Sequence, residues 1–144
     1  MSDKDPEKQA GQSQRRSGCP ISFSLDIFGD RWTLLILRDL LLHGKRQFRE
    51  LAGSEEGIAT NILSDRLKRL EVSGVLVRRR DPNDRRQVIY TATEKGLGLI
   101  PVLLELAAWG AIHDPQTDAP EDFVATYAKD RETVIARTRK KHQR

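Results

Sequence analysis

The chain has 144 residues, of which 38% are hydrophobic and 32% charged, so the sequence suits one compact domain with a modest core and tails. A single cysteine excludes an internal disulfide framework and fits a reducing compartment. The N-terminus lacks the apolar segment of a signal peptide, and we find no apolar stretch long enough to span a membrane. We therefore expect a cytoplasmic protein that has no membrane partner.

The positive charge is concentrated in the middle of the chain. The formal net charge is +4, and residues 60–95 alone carry nine Lys and Arg against five Asp and Glu, a difference of +4. Residues 120–144 are also basic, whereas residues 96–119 are acidic. A basic stripe within a folded region is the electrostatic footprint expected for nucleic acid, although a solvated charged face has the same composition.

The N-terminal part of the chain predicts a polar tail and then a short helix. Residues 1–18 are polar and lack aromatic side chains, which predicts disorder. Proline is favoured at the first position of a helix, so Pro20 predicts a helix that runs to about Phe28 with Cys19 as its N-cap. Asp30 is the predicted N-cap of the next helix.

Three further segments predict the helical part of the domain. The stretch RWTLLILRDLLLH is apolar around nearly its whole circumference, which predicts a central, buried helix. KRQFRELAGS predicts a short strand followed by a helix of little more than one turn. TNILSDRLKRLEVSG has apolar residues at a 3.6-residue period and predicts a helix over residues 60–73.

A hairpin and two more helices follow. VLVRRR and QVIYTA are β-rich runs separated by the turn DPND, which predicts a hairpin whose projecting part, the predicted wing, is residues 78–88. Thr93 is the predicted cap of a long apolar helix in which Pro101 predicts a kink or a fresh start near residue 100. The last predicted helix spans about residues 121–137.

This order of elements predicts a mainly α fold with a small β-hairpin, namely a winged helix-turn-helix with added dimerisation helices. The second helix of the motif is the predicted recognition helix, residues 60–73, and the hairpin is the wing. The predicted organisation is a disordered tail (1–18), the winged domain with its dimerisation helices (19–113), and a linker, C-terminal helix and basic tail (114–144).

Five stretches of the sequence, in order, carry a resemblance to a known family. They are CPISFSLDIFGDRWTLLILRDLL, RQFREL, ILSDRLKRLEVSGVLVRR, YTATEKG and LIPVLLELAAWG. They resemble the HxlR-type regulators, a branch of the MarR-like winged-helix transcription factors, over roughly residues 19–110. The resemblance implies a homodimeric regulator that binds double-stranded DNA. The wing, DPNDRRQVIY, is closer to the Asp-x-Arg wing of wider MarR-like proteins, and Ala59 to Asn61 departs from the usual start of the recognition helix.

The candidate DNA-binding residues lie on the recognition helix and on the wing. Small polar side chains near the start of the helix can approach base edges, and the asparagine can bond adenine in the major groove. The wing arginines can reach the minor groove and the flanking phosphates. The candidates are Thr60, Asn61, Ser64, Asp65, Lys68, Arg46, Arg80, Arg85 and Arg86.

Asp84 is a candidate for orienting the wing. It stands two residues before Arg86 and can hold that guanidinium in an extended pose by a paired hydrogen bond. A presented arginine fits the narrow minor groove, where the negative potential is strongest. The alternative is a loop that is merely made soluble by charge. Arg78, at the base of the wing, is as well suited to structural pairing as to DNA contact.

Cys19 is the one candidate for covalent chemistry. A cap position puts its sulfur at the positive end of a helix dipole, with Arg15 and Arg16 just upstream, and both features favour thiolate. Some HxlR-type proteins sense oxidants or electrophiles through a cysteine in this place, so the resemblance implies a redox switch. The alternative, a small apolar filler at a dimer interface, is equally consistent with the sequence.

The long apolar helix needs more partners than its own domain supplies, which predicts a two-fold dimer on a palindromic operator. The alternative is a helix wholly buried in its own domain. The predicted dimer contacts are Phe23, Ile27, Ile100, Leu103, Leu104 and Ala107.

No enzymatic constellation is visible. The three histidines lack metal-ligand spacing, and no glycine-rich phosphate loop occurs. We expect no catalysis, no metal and no cofactor, and the sequence does not identify a small-molecule effector. The alternative function is a winged helix that binds an acidic protein partner through the wing.

Overall fold

The computed structural model describes residues 16–143. The predicted disordered tail therefore lies outside the described residues, apart from its last three positions. The helices and strands in chain order are α1 (Pro20–Phe28), α2 (Arg31–Leu41), α3 (Phe48–Ala52), α4 (Thr60–Val72), β1 (Leu76–Arg80), β2 (Val88–Ala92), α5 (Glu94–Leu97), α6 (Ile100–His113), α7 (Phe123–Lys129) and α8 (Arg131–Lys140).

Helix α2 is the centre of the domain, as its apolar circumference predicted. Asp30 is its N-cap and accepts a hydrogen bond from the backbone N–H of Thr33 at 3.1 Å. From Trp32 to Leu41 every residue is buried or half-buried. The helix packs against α3, α4, α6 and β2, so it supports both the helix-turn-helix and the hairpin.

Helices α3 and α4 form the helix-turn-helix, and residues 53–59 are the turn between them. Gln47 and Glu50 form a reciprocal capping box at the start of α3. The short strand predicted before α3 does not form; instead one backbone hydrogen bond joins the N–H of Tyr90 in β2 to the carbonyl of Arg46 at 2.8 Å.

The two strands form the predicted hairpin. They pair antiparallel from Leu76 opposite Ala92 to Arg80 opposite Val88, which leaves residues 81–87 as the tip. A hairpin directly after the helix-turn-helix gives a winged helix, which is the fold class predicted above.

The long apolar segment is broken where Pro101 predicted a fresh start. α5 ends at Leu97, and α6 begins at Ile100 with the proline in its first turn. Contrary to our expectation, residues 94–113 are long and apolar enough to cross a membrane by length and composition alone. Within the chain, α6 packs against α2, α7 and α8 and buries Ile100, Leu103, Leu104 and Ala108.

The prediction of one C-terminal helix over residues 121–137 is wrong. Two helices form, α7 and α8, because Asp130 interrupts the backbone and caps α8 by accepting from the N–H and hydroxyl of Thr133. Both helices fold back on α6. Buried Tyr127 donates a hydrogen bond to Glu105 at 2.9 Å, and Arg131 pairs with the same carboxylate at 3.0 Å.

Candidate DNA interface

Helix α4 has one buried face and one exposed polar face. Its leucines Leu63, Leu67 and Leu70 are buried in the core, as the 3.6-residue period predicted. The predicted base and phosphate contacts on this helix, Thr60, Asn61, Ser64 and Lys68, are all exposed. The spacing of positions 60, 64 and 68 is four residues, so these three side chains lie on one face.

A groove runs between α4 and the wing. Ser64 and Lys68 line one side of it, and Arg78 of β1 lines the other. No ion pair within residues 16–143 involves Arg78, and its side chain is exposed. The sequence alone leaves the role of Arg78 open, because a strand position does not show which helix faces it. Its position in the groove beside Lys68 makes it a further candidate for phosphate contact.

Asp65 forms ion pairs with two arginines of its own helix. It pairs with Arg66 at 2.5 Å and with Arg69 at 3.0 Å. Arg66 also donates from Nε to Asp30 at 3.0 Å. This chain of ion pairs joins α4 to the start of α2.

The environment of Asp30 favours its ionised form. Burial acts to raise the pKa of this carboxyl, but hydrogen bonds from Thr33 and Arg66 outweigh burial and lower it. The hydrogen bonds that Arg66 donates to Asp30 and Asp65 raise the pKa of Arg66. Both groups are therefore charged over the physiological range, which keeps the α2–α4 contact intact.

The wing tip has the arrangement that the sequence predicted for Asp84. Its Oδ1 atom accepts from both the backbone N–H and the Nε of Arg86, each at 3.2 Å. The Arg86 side chain is 92% exposed, so its guanidinium is directed by the carboxylate yet open to a ligand. Arg80 donates from Nη1 to the carbonyl of Arg85 at 2.9 Å and thereby braces the tip from the opposite strand. The side chain of Arg85 is exposed.

The wing is also connected to the helix-turn-helix at the start of α3. Gln47 donates a side-chain hydrogen bond to Gln87 of the wing. Arg46 is half-buried beside this contact, and its carbonyl is used by Tyr90. The predicted DNA-binding side chains of α4 and of the wing thus stand on elements that are tied to each other.

Cys19 is the N-cap of α1, as predicted, and its side chain makes no capping hydrogen bond. The residue is exposed, and its backbone N–H donates to the hydroxyl of Ser17 at 3.2 Å. Among the described residues, no group of three or more His, Cys, Asp or Glu could hold a metal ion.

The predicted dimer contacts on α6 need correction. Ile100, Leu103 and Leu104 lie in the core of the chain itself, with at most 5% of each exposed, so they cannot reach a second chain in this fold. Ile27 is half-buried against the same core, whereas Phe23 is half-exposed and Ala107 is exposed. The large apolar side chains of α1 and α6 that are at least half exposed are Ile21, Phe23, Leu25, Leu106, Trp109 and Ile112.

A helix-turn-helix followed by a basic hairpin defines a class of protein, the winged-helix transcription regulators. The family comparison agrees: residues 27–118 match the model described as HxlR-like helix-turn-helix. The chain therefore belongs to the HxlR family of transcription regulators, for which DNA binding is implied by the family itself. The resemblance recognised in the sequence is confirmed.

Individual relatives support the same assignment. The HTH-type transcriptional regulator YodB of Bacillus subtilis is 36% identical over 92 residues, which are 63% of this chain and 81% of YodB. The crystal structure of PA1607 is 34% identical, covers 75% of each chain and has a TM-score of 0.66. The redox regulator HypR in its oxidized form is 29% identical, with a TM-score of 0.58, and the match covers 65% of this chain and 96% of HypR.

Proposed function

We propose that this HxlR-family regulator is a homodimer that binds a specific, palindromic DNA site, with α4 in the major groove and the wing at the minor groove. The observation that supports the proposal is that the same domain exposes two surfaces suited to DNA. One is the polar face of α4, and the other is a wing arginine held outward by a carboxylate. Together they supply contacts to base edges, to the minor groove and to phosphates.

The major-groove part of the proposal rests on the start of α4. Asn61 can donate and accept at once, which suits adenine, and Thr60 and Ser64 can bond either a base or a phosphate. The free N–H groups of the first helical turn favour a phosphate at the same end. Asp65 contributes indirectly, because its carboxylate is engaged by two arginines and holds them in place.

The wing part rests on the unequal roles of its arginines. Arg86 is the proposed reader of the minor groove, because a narrow groove attracts an inserted guanidinium. Arg85 and Arg80 are proposed phosphate anchors, although Arg80 already uses one N–H to brace the tip. Lys68 and Arg78 supply the two positive charges of the groove between α4 and the wing, which Glu71 also lines. Arg46, half-buried before α3, is a further proposed phosphate contact.

The dimer rests on apolar side chains that the chain leaves uncovered. Leu106, Trp109 and Ile112 are between 50% and 67% exposed on α6, and Ile21 and Leu25 are more than half exposed on α1. Large apolar side chains grouped on two helices mark an interaction surface. A second copy of the chain is the proposed partner, because a two-fold dimer presents one α4 and one wing to each half of a palindromic site.

Cys19 is the proposed redox switch of this regulator. It is exposed at the start of α1, a helix of the proposed dimer surface, and the structural relative HypR is named as a redox regulator. Hydrogen peroxide would oxidise two Cys19 thiols to one intersubunit disulfide and be reduced to two waters. Non-reducing gels, mass spectrometry and DNA binding after mild peroxide treatment test the switch. Unchanged mass and unchanged binding reject it.

The decisive experiment measures binding to the upstream DNA of the protein's own gene and to a random duplex over a salt series. We expect tighter binding to the upstream duplex and a steep salt dependence, because several phosphates lose their counterions to arginine and lysine. Loss of the preference in Asn61→Ala would support base reading by α4. A flat dependence without preference would instead support the alternative, a module for an acidic protein partner.

A further inference from the structure

A buried carboxylate lies on α2, the helix against which the helix-turn-helix packs. Asp39 of α2 is only 2% exposed, and a buried charge is tolerated only when it is paired and hydrogen-bonded. Its Oδ1 atom accepts from Arg38 Nε at 3.0 Å and lies 3.1 Å from His43 Nδ1. Its Oδ2 atom accepts from the hydroxyl of Ser54, and Lys45 lies 3.7 Å away.

These contacts cross from α2 to the turn between α3 and α4. Ser54 is in the turn, where its hydroxyl also accepts from Lys45 at 2.9 Å. Arg38, next to the buried carboxylate, binds Glu56 of the turn with both ends of its guanidinium, at 2.6 and 2.8 Å. We call Arg38, Asp39, Ser54 and Glu56 the turn clamp.

The clamped turn leads directly into α4. Gly57 adopts φ +71, a conformation that favours glycine, and its N–H closes the turn on the carbonyl of Ser54 at 3.0 Å. Ile58 then enters the core, and the helix begins at Thr60. Between the clamp and the first proposed base contact there are only three residues, so a shift of the turn shifts the start of the recognition helix.

We infer that the turn clamp positions the recognition helix for sequence-specific DNA binding. This inference rests on the proposed function of α4 and assigns Arg38 and Asp39 as positioning residues that do not touch DNA. Their partners are the side chains that fix the turn at two points, Ser54 and Glu56. Pairing with Arg38 also neutralises Glu56, which would otherwise present an unpaired negative charge close to the DNA-facing helix.

The clamp is tested best at its outer partners, because Asp39→Asn alters a buried group and can unfold the protein. Glu56→Gln weakens the pair with Arg38, and Ser54→Ala removes the hydroxyl from Asp39. Glu55→Gln is the matched control: it has the same charge change in the same turn, and within residues 16–143 its side chain takes part in no hydrogen bond or ion pair.

Two measurements are made on each variant of the full chain. The first is amide hydrogen exchange across residues 53–60 and, for comparison, across α6. The second is the ratio of affinities for the upstream duplex and a random duplex. We expect Glu56→Gln and Ser54→Ala to exchange faster in the turn only and to lower the affinity ratio about threefold to tenfold, with the salt slope unchanged. Glu55→Gln should change neither exchange nor ratio.

Two outcomes overturn the inference. If Glu56→Gln matches Glu55→Gln in both measurements, the clamp does not hold the turn. If exchange in the turn rises while the affinity ratio stays constant, the turn does not position α4. If the unaltered protein shows no DNA preference at all, the proposed function fails instead, and the exchange data still report whether the clamp holds the turn.

Discussion

Replacing Asp84 by asparagine separates two effects that this carboxylate can have on DNA binding. As a negative charge it repels phosphates, so its removal should strengthen binding to any duplex. As the acceptor for Arg86 Nε it directs the guanidinium, so its removal should weaken binding to the specific site. Asparagine retains an oxygen that can accept from the backbone N–H of residue 86, which leaves the turn intact.

The structure sets the expected magnitudes. Because the Arg86 side chain is 92% exposed, its pair with Asp84 contributes at most about 1 kcal/mol to the free energy of unfolding. An arginine side chain has about 2 kcal/mol of rotamer entropy, and one hydrogen bond orders only part of it. We therefore expect Asp84→Asn to lower the affinity ratio of specific to random DNA about twofold to fivefold. Arg86→Ala should cost about 1–3 kcal/mol at the specific site and lower the salt slope by about one.

The matched control is Asp81→Asn, at the other end of the same tip. Asp81 accepts only from the backbone N–H of Asn83, at 2.9 Å, and pairs with no arginine within the described residues. Fluorescence anisotropy with both duplexes over a salt series measures all variants. If the two asparagine variants strengthen specific and random binding equally, Asp84 only dilutes the positive charge of the wing and the reasoning is refuted.

Two further predictions concern the dimer and acid stability. Trp109→Glu puts a charge on the uncovered face of α6 and should yield monomers in analytical ultracentrifugation. The control, Ala136→Glu at an exposed position of α8, should leave the dimer intact. A monomeric unaltered protein would contradict the proposed interface. The hydrogen bond from Arg38 lowers the pKa of Glu56 to about 2, and the pKa of Asp30 is also lowered. The two ionised carboxylates therefore stabilise the fold fully above the ordinary carboxyl pKa. This contribution to the free energy of unfolding is lost as the pH falls from about 4.5 to 2. In urea titrations, the free energy of unfolding of Glu56→Gln should fall about 1 kcal/mol less on acidification than that of the unaltered protein, after allowance for solvent screening. An unchanged acid profile would argue against the ion pair.

The helices and the wing could be predicted because their signals are local. Pro20, Asp30 and Thr93 mark helix starts by rules that need no knowledge of the rest of the fold, and all three stand at the observed starts. Asp84 and Arg86 are two residues apart in a turn, so their contact could be inferred as well. The break at Asp130 was missed because the apolar period continues across it, from Tyr127 on α7 into α8.

The contacts between distant segments could not be predicted in the same way. Asp39 and Ser54 are 15 residues apart, and Arg38 and Glu56 are 18 apart, so no local pattern joins them. Helix α6 was recognised as apolar on more than one face, but periodicity does not tell which face the chain covers itself. That is why Leu103 was assigned to the dimer although it lies in the core.

The far end of α8 has a consequence for the order in which the domain is built during synthesis. His142 donates from Nε2 to the carbonyl of Leu41 at 2.9 Å, and 101 positions separate the two residues. At the usual speed of translation, about 5–20 residues per second, His142 is synthesised about 5–20 s after Leu41. The helix-turn-helix and wing can form in that interval from neighbouring segments. We therefore expect α7 and α8 to dock last, on a helix-turn-helix and wing that are already folded.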